Sequence, residues 1–538
     1  MSAARHASLV RSASDFVGGE WVDLGAPTMG AAVVESRNPA RPDEVVWRGN
    51  PRMEHVGAAV KAATAAFPAW NRWGREGRFN VLKRFAELCK SSAPKMAELI
   101  CDETGKAMWE AKGEAAALAS KVDITLDASA VGGMRRVEGY ELELTPERAG
   151  RTWFRPHGVM AVVGPFNFPA HLPNGHIVPA LAMGNTVVFK PSDKAPGVGQ
   201  LLVELLAEAL VKEGAPDRGR GVINLVQGGA DIASSLVTHE GPDGILFTGS
   251  WPVGRRILEA NLDRPGRIVA LEMGGNNAAV VMDDADLRQA VIEVVRCAFN
   301  TTGQRCTCTR RVIVHESVAD AFLRAACLCA SQLVVGDPRS TQPVFMGPII
   351  SSAARDSVLN FETRARKAGA QVVLEAAPVR VAREGTGTDG WYVSPGVMLV
   401  DRFTGVGATG AAGAGFDAGC DEEVFAPLLR MTTVASLDEA IEQCNATRYG
   451  LAASIFTRSQ ESAERFLAEA RAGCVNINAG TAGASSKLPF GGLGLSGNHR
   501  PAASFSLDYC AYPVAGMIER GNAAVLAEGM GFEDAWLG

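Results

Sequence analysis

Short apolar runs alternate with helical periodicity through the first half of the chain. The helical stretch has leucines at positions 201, 202, 205, 206 and 210 on one face. The apolar runs are β-branched and bounded by glycine or proline, as is typical of buried strands: VMAVV (Val159 to Val163), TVVFK (Thr186 to Lys190), VINLV (Val222 to Val226) and ILFT (Ile245 to Thr248). This βαβαβ order predicts an α/β fold with a doubly wound parallel sheet.

A second alternating pattern predicts a hairpin outside that sheet. YELEL (Tyr140 to Leu144) and RTWFR (Arg151 to Arg155) flank a turn near Pro146 to Gly150, and their apolar residues share one face. Such a hairpin either covers the sheet edge of a partner subunit or packs on its own domain, and the pattern favours neither. Farther along, Gly405 to Cys420 is rich in glycine and alanine, which predicts a flexible surface insertion.

Length and charge limit the class of protein. A chain of 538 residues predicts two or three domains. The net charge of -6 and the lack of a basic block argue against nucleic acid and anionic membranes as partners. Pro156 to Phe189 contains no charged residue, but its prolines and asparagines exclude a transmembrane helix. The first 14 residues hold two arginines and no acid, which favours a disordered tail over a transit peptide.

The cysteines predict one reactive thiol and neither a disulfide framework nor a metal site. There are 11, an odd number, with no CxxC and no zinc-finger spacing. In GQRCTC, Cys306 lies in a polar, glycine-containing loop, where the charge of Arg305 would favour the thiolate. Cys308 begins a strand and is interpreted as a packing residue. On these local grounds a purely structural Cys306 remains open.

Other polar groups follow predicted strands. Glu272 ends the run RIVALEM, where an open α/β sheet binds ligands and where burial would raise its pKa, as suits a general base. Asn167 in GPFNFP can donate to an oxyanion. FTGSWPVG opens a helix after a strand, and its Gly249, Ser250 and Gly254 suit anion binding. Taken singly, Glu272 could instead lie at the surface end of a strand, and Asn167 could simply form a turn. FTGSWPVG could be an ordinary helix start.

Together, in the order GPFNFP, FTGSxxVG, LEMGG and GQRC, these motifs resemble the aldehyde dehydrogenase superfamily. GNTVVFKPSD, EEVFAP and PFGGLGLSG extend the resemblance to roughly residues 16 to 515. The resemblance implies that Cys306 attacks an aldehyde to give a thiohemiacetal and then a thioester. Asn167 and the Cys306 backbone N–H would hold the oxyanion, and Glu272 would activate the water that releases a free acid.

The resemblance also implies a nicotinamide cofactor. Lys190 and Asp193 would hold the adenosine ribose, and Glu423 and Phe425 the nicotinamide ribose and ring. Gly249 to Gly254 would lie near the pyrophosphate. An acid at position 193 repels a ribose phosphate, so NAD is expected in preference to NADP.

Within the superfamily, HLPNGHIVPA, GQRCTCTRR and GNHRP resemble members that act on an acidic semialdehyde. A substrate with two carboxylates needs cations at the mouth of its pocket. The candidates are Arg500, His499, His171 and His176. The alternative is that these side chains order their loops and contact no substrate.

The implied domains are a cofactor-binding domain (16–136 and 157–273), a catalytic domain (274–480) and a small β oligomerisation domain (137–156 and 498–515), with terminal extensions at 1–15 and 516–538. A cytoplasmic homodimer or homotetramer is expected. Two other functions are weighed: a non-catalytic dinucleotide-binding module and an acyl transferase that makes coenzyme A thioesters. The presence of Cys306, Glu272 and Asn167 together argues against the first, and the base Glu272 argues against the second.

Overall fold

The computed structural model describes residues 11–25, 33–381, 389–404, 420–521 and 524–538. The strands are β1 (Ser14–Val17), β2 (Glu20–Asp23), β3 (Val34–Asn38), β4 (Arg41–Gly49), β5 (Glu141–Thr145), β6 (Arg148–Pro156), β7 (Val159–Val163), β8 (Thr186–Lys190), β9 (Ile223–Leu225), β10 (Gly244–Gly249), β11 (Ile268–Met273), β12 (Asn277–Val281), β13 (Thr309–His315), β14 (Gln371–Leu374), β15 (Gly396–Leu399), β16 (Leu428–Val434), β17 (Tyr449–Gly450), β18 (Ala452–Phe456), β19 (Cys474–Ile477), β20 (Pro489–Phe490), β21 (Leu493–Gly494), β22 (Ala502–Ala503) and β23 (Ala511–Glu519). The helices are α1 (Glu54–Arg72), α2 (Arg75–Thr104), α3 (Met108–Leu126), α4 (His171–Met183), α5 (Pro196–Lys212), α6 (Ala230–Thr238), α7 (Trp251–Glu259), α8 (Leu287–Phe299), α9 (Glu316–Ser331), α10 (Ser352–Lys367), α11 (Leu437–Asn445) and α12 (Gln460–Glu469).

The first sheet has the order β11-β10-β7-β8-β9-β1-β2. It is parallel from β11 to β9, and β1 and β2 add an antiparallel edge. Alternate residues of β7 enter different cores. Met160 and Val162 pack with α2, α3, α4 and α5, whereas Val159 and Ala161 pack with α1, α6 and α7. Helices therefore cover both faces, which confirms the predicted doubly wound sheet.

The second sheet has the order β14-β15-β16-β13-β12-β18-β19 and is parallel except for β14. Its interior strand β12 again divides its residues between two cores. Ala279 and Val281 pack with α8 and α9, and Ala278 and Val280 pack with α11 and α12. The chain passes from the first sheet to the second between β11 and β12, at Gly274 to Asn276.

The predicted hairpin is β5 and β6, and it forms a separate three-stranded sheet with β23. Strand β23 pairs with β6 along its whole length, from Ala511 opposite Pro156 to Glu519 opposite Arg148. Because β6 offers nine residues of unpaired edge, β23 continues beyond the predicted boundary at residue 515.

The first domain also begins earlier than the predicted boundary at residue 16. Strand β1 begins at Ser14, inside the predicted extension 1–15, and the Ser14 N–H donates to Gln200 Oε1 (3.1 Å). The predicted insertion Gly405 to Cys420 lies outside the described residues except for Cys420, which is buried. Within the described ranges, none of the helices is long and apolar enough to cross a membrane.

The carboxyl ends of four strands meet at one edge of the first sheet. Val163 is opposite Lys190 and Phe247, and Thr248 is opposite Glu272. The loops that follow these positions therefore gather over this edge, where the second sheet also begins. A ligand site is expected at this edge of a parallel sheet.

Candidate active site

A cavity of about 190 Å³ over this edge is lined by both Cys306 and Glu272. The two residues are 34 positions apart in sequence and come from different sheets: Glu272 lies on β11, and Cys306 lies in the loop before β13. Helix α3, helix α4 and the segment from Ala482 to Ala503 supply other parts of the wall. Two of the three predicted catalytic groups thus share one enclosed space.

The third, Asn167, lies in the turn that follows β7 and is buried. Its Nδ2 donates to the backbone oxygen of Gln304 (3.0 Å), two residues before the thiol. One N–H of the amide remains for another acceptor. The Cys306 backbone N–H has no acceptor among the residues that the structure describes. A second donor beside the sulfur is therefore available for an oxyanion.

The loop that carries Cys306 has an unusual backbone. Thr301 and Thr302 have φ values of 50° and 54°, a region that β-branched residues rarely enter. The Glu110 carboxylate on α3 holds this conformation by accepting from Thr301 N (2.9 Å) and Thr301 Oγ1 (2.7 Å). Arg305 Nη2 donates to the same carboxylate (2.9 Å). A helix far away in sequence therefore fixes the turn before the thiol.

The buried Arg310 holds the other side of the loop. Its guanidinium donates to the backbone oxygens of Gly303 (3.1 Å), Arg305 (2.9 Å) and Val424 (2.6 Å). Asn277 Nδ2 donates to the oxygens of Cys306 (2.7 Å) and Cys308 (2.8 Å). The thiol thus lies on a turn whose backbone carbonyls accept hydrogen bonds from buried side chains, and these bonds limit the movement of the turn.

Replacing Gly303 with alanine is expected to lower both thermal stability and turnover. A Cβ there would lie 2.1 Å from the Ala426 oxygen, and φ is +71°. The left-handed backbone alone costs about 1–2 kcal/mol for a residue with a Cβ, and a displacement of about 1 Å at the thiol costs roughly 10²-fold in rate.

The control is Gly113→Ala on α3, where a Cβ would contact nothing within 4 Å. That change should keep the thermal midpoint and the turnover of the parent enzyme, because alanine is favoured in a helix. Both quantities would be measured by thermal unfolding and by cofactor reduction. A Gly303→Ala enzyme indistinguishable from Gly113→Ala would contradict the tight fit of this turn.

The Cys306 thiol is strongly biased towards its protonated form. Burial raises its pKa to about 12, and the carboxylates of Glu423 and Glu272 add to this effect. Arg305 lowers the pKa, as predicted, but burial outweighs it, and Glu110 already pairs with that guanidinium. Arg305 therefore favours the thiolate, as expected from the sequence, but its effect on the pKa is smaller than that of burial.

Cys308 is fully buried, as interpreted from the sequence. Its Sγ lies 3.5 Å from Asn300 Oδ1, and burial raises its pKa to about 11. All cysteines of the described ranges are free. The same ranges contain no cluster of three or more metal-ligating side chains.

Glu272 is a buried acid whose carboxyl interacts only weakly with other groups, among them the Ala502 backbone N–H. Neither carboxylate oxygen has a hydrogen bond of ordinary geometry within the described part of the chain. Burial raises the pKa of Glu272 well above its usual value. An acid that is not held by donors, and that faces the cavity of the thiol, can accept a proton from a water molecule.

The predicted cofactor residues lie along the same sheet edge. Lys190 ends β8 and is buried, and burial lowers its pKa to about 8. Asp193 follows on the surface, with its carboxylate 3.4 Å from Lys194 Nζ. Gly249 and Ser250 lead into α7, and Gly254 lies on that helix with no room for a Cβ beside the Met273 sulfur (2.3 Å). These groups therefore lie at or just after the carboxyl ends of strands, where open parallel sheets bind ligands.

Glu423 and Phe425 lie beside the loop of the thiol. Glu423 Oε1 accepts from Gly275 N (3.1 Å), and its other oxygen touches Gly274 so closely that a Cβ there would lie 1.8 Å away. The Phe425 ring packs against Phe166 (5.9 Å between centroids) and lies below the Arg310 guanidinium. The structure therefore brings both residues from a distant segment to the junction of the two sheets.

The four side chains predicted to bind the substrate carboxylates lie in two different cavities. His171 and His176 line the cavity, but burial lowers their pKa values to about 4 and about 3, so both rings are neutral at pH 7. His176 also bonds to Tyr509 Oη (2.9 Å) and Thr248 Oγ1 (3.0 Å). Neither histidine supplies the predicted positive charge.

His499 and Arg500 are exposed and line a different cavity, which adjoins the first at Glu272. The expectation that they clamp a substrate beside Cys306 is not supported by this placement. The cations that do line the Cys306 cavity are Lys121 and Arg305. Neither was a substrate candidate from sequence, because Lys121 lies in an ordinary helical pattern and the approach of α3 depends on the fold.

Comparison with known proteins agrees with this geometry. Residues 27–513 match the model of the aldehyde dehydrogenase family. An N-succinylglutamate 5-semialdehyde dehydrogenase of Caulobacter sp. (strain K31) is 44% identical over 510 residues, which cover 93% of this chain and 96% of the relative. The crystal structure of an NAD-dependent aldehyde dehydrogenase from Sinorhizobium meliloti superposes with a TM-score of 0.84 at 28% identity and 98% coverage of each chain.

A glyceraldehyde-3-phosphate dehydrogenase GapN from Methanocaldococcus jannaschii, complexed with NADP, superposes with a TM-score of 0.80 at 26% identity, covering 90% of this chain and 99% of that one. The predicted resemblance is confirmed over nearly the whole length. This chain belongs to the aldehyde dehydrogenase family and is an oxidoreductase that acts on the aldehyde group with a nicotinamide dinucleotide.

Proposed function

We propose that this enzyme oxidises N-succinyl-L-glutamate 5-semialdehyde to N-succinyl-L-glutamate in arginine catabolism, with NAD as the electron acceptor. The observation that carries the proposal is the cavity that holds Cys306 and Glu272 together. Relatives that are 40–44% identical over most of their length are N-succinylglutamate 5-semialdehyde dehydrogenases, which supports the choice of substrate.

In the proposed reaction, the Cys306 sulfur bonds to the aldehyde carbon, the carbonyl π electrons move to the oxygen, and the thiol proton passes to a water molecule. The oxyanion of the thiohemiacetal accepts from Asn167 Nδ2 and the Cys306 backbone N–H. A preset donor of this kind typically contributes about 10²–10³ in rate. Loss of hydride from the thiohemiacetal leaves a thioester on Cys306.

Hydrolysis of that thioester is assigned to Glu272. Its carboxylate takes a proton from a water molecule in the cavity, and the hydroxide adds to the thioester carbon. The tetrahedral adduct then breaks its C–S bond, the acid product leaves, and the proton held by Glu272 returns to the Cys306 sulfur. Because burial raises the pKa of Glu272 and outweighs the opposite effect of the Ala502 backbone N–H, its carboxylate is a stronger base than an exposed one.

The chain offers suitable groups for a dinucleotide. Lys190 is a buried cation whose ammonium has no carboxylate within ion-pair distance among the described residues, which suits ribose hydroxyls. Glu423, beside Gly274 and Gly275, suits the second ribose. The bound dinucleotide would supply the hydride acceptor. Asp193 supports NAD over NADP, since its carboxylate would repel a ribose phosphate.

The proposed enzyme is a cytoplasmic homodimer or homotetramer. The hairpin β5 and β6 exposes Tyr140, Leu142 and Leu144 to 70%, 54% and 47%, and this apolar surface supports association of subunits. Light scattering that gave the mass of a single chain would reject this part of the proposal.

Specificity constants would test the proposed substrate. N-succinylglutamate 5-semialdehyde should exceed both pentanal and glutamate 5-semialdehyde in kcat/KM by at least about tenfold, because charged hydrogen bonds to carboxylates each contribute about 1.5–3 kcal/mol. NAD should be preferred to NADP, and added coenzyme A should not be consumed. Equal constants for the acidic substrate and pentanal would contradict the assignment.

A further inference from the structure

Lys121 is a buried ammonium in the wall of the Cys306 cavity. It lies on α3 and is 2% exposed. Its Nζ donates to the backbone oxygen of Ala503 (2.6 Å) and to Ser506 Oγ (3.2 Å). An ammonium has three N–H donors, so one remains for a group in the cavity.

This cation has no counter-ion in the described ranges. Nearby buried or half-buried cations do: Lys106 pairs with Glu114 (2.5 Å), and Arg305 pairs with Glu110 (2.9 Å). The titratable neighbour that raises the pKa of Lys121 is the Cys510 thiol, but burial keeps this thiol protonated, so it supplies no counter-charge. Lys121 is therefore the cation of this wall whose charge is still uncompensated.

Such an arrangement is costly in the ligand-free protein. A buried charge without a partner loses hydration that two neutral hydrogen bonds restore only in part. Burial accordingly lowers the pKa of Lys121 to about 8. An anionic group entering the cavity would restore the missing interaction, and a carboxylate is the anion that an acidic aldehyde brings with it.

We propose that Lys121 binds a carboxylate of the aldehyde substrate and sets the preference of this enzyme for acidic over neutral aldehydes. The inference rests on the proposed function, because it presupposes aldehyde oxidation at Cys306. In this proposal Lys121, and not His171, His176, His499 or Arg500, supplies the positive charge that binds the substrate carboxylate. The site takes aldehydes whose carboxylate reaches α3 while the carbonyl lies at Cys306.

The surroundings of Lys121 leave it as the group that titrates near pH 8. His171 and His176 on α4 face it, and burial keeps both neutral above about pH 6, since their pKa values fall to about 4 and about 3. Burial also raises the pKa values of Cys510 and Tyr509, so both stay protonated. Arg305 stays charged and paired.

The matched probes are 5-oxopentanoate and pentanal, which differ only by a carboxylate. Lys121→Met removes the charge and keeps the length of the side chain. We expect its kcat/KM for 5-oxopentanoate to fall at least about tenfold, mainly through KM, as loss of a charged hydrogen bond predicts. The kcat/KM for pentanal should change little, which also shows that the variant is folded. Lys121→Arg should retain part of the preference.

The pH dependence of the parent enzyme gives an independent readout that needs no variant. The ratio of KM for 5-oxopentanoate to KM for pentanal should be constant below about pH 8 and rise above it, because Lys121 loses its proton there. The same ratio should stay flat across pH 8 in Lys121→Met, which separates the titration of Lys121 from that of Glu272, since an ionised Glu272 in the same cavity would also disfavour an acidic substrate.

Three outcomes would overturn the inference: equal losses for both probes in Lys121→Met, a flat KM ratio across pH 8, or a loss of the acidic preference in Arg500→Ala in place of Lys121→Met. A parent enzyme that oxidises both probes equally well would also overturn it while leaving aldehyde oxidation intact. A parent enzyme that oxidises neither probe nor N-succinylglutamate 5-semialdehyde would instead reject the proposed function.

Discussion

Cys306→Ser is expected to lose turnover by about 10³-fold or more while still binding the dinucleotide. The sulfur forms the covalent bond to the aldehyde carbon, and a serine hydroxyl in the same buried turn is a far weaker nucleophile, because no adjacent base activates it. The residues proposed to hold the cofactor, Lys190, Glu423 and Phe425, are untouched by this change. Turnover would be followed by absorbance of the reduced cofactor, and binding by calorimetry.

The neighbouring thiol provides a control. Cys308→Ala removes a buried sulfur two residues away and should keep most of the turnover, because that side chain packs against Asn300 and does not line the cavity. If Cys306→Ser turned over at the parent rate, or if the Cys308 variant alone were inactive, the assignment of the nucleophile would be wrong.

Glu272→Gln should give a burst of roughly one reduced cofactor per active site and then turn over about 10²–10⁴ times more slowly than the parent. Acylation of Cys306 does not use the carboxylate in the proposed scheme, whereas hydrolysis of the thioester does. Glutamine has the same shape, and no hydrogen bond of Glu272 is lost in the described structure. The protein should therefore remain folded.

Glu259→Gln, an exposed carboxylate on α7, serves as the matched control and should behave as the parent. Hydrolysis in the parent should also speed up as pH rises through the pKa of Glu272, since only the ionised form accepts a proton, and burial places that pKa well above the usual value. Full steady-state activity in Glu272→Gln would remove this residue from the mechanism.

Sequence patterns found the groups that stand next to strand ends. Glu272 and Asn167 follow β-branched runs, and the parallel order of those runs already placed them at one edge. Resemblance to a family then connected them with Cys306. The meeting of Glu272 and Cys306 in one cavity, and the contact of Asn167 with the Cys306 loop, depend on the passage from the first sheet to the second, which periodicity does not show.

The groups that tune the site were missed for a physical reason. Glu110 and Lys121 lie on α3, where each looks like an ordinary exposed charge in a helical pattern. Only packing of α3 against the Cys306 loop and the segment near Ala503 buries them. The effect of Arg305 on the Cys306 pKa has the direction expected from the sequence, but the larger effect of burial depends on the fold and could not be read from the sequence.

The central claim is that the sulfur, the amide and the acid act on one carbonyl carbon. Intact mass spectrometry of Glu272→Gln, quenched in acid after mixing with substrate and NAD, tests it most directly. The account predicts that the protein gains the mass of one acyl group, mapped to the peptide that contains Cys306. An unmodified protein after the burst, or an acyl group on any other residue, would contradict it.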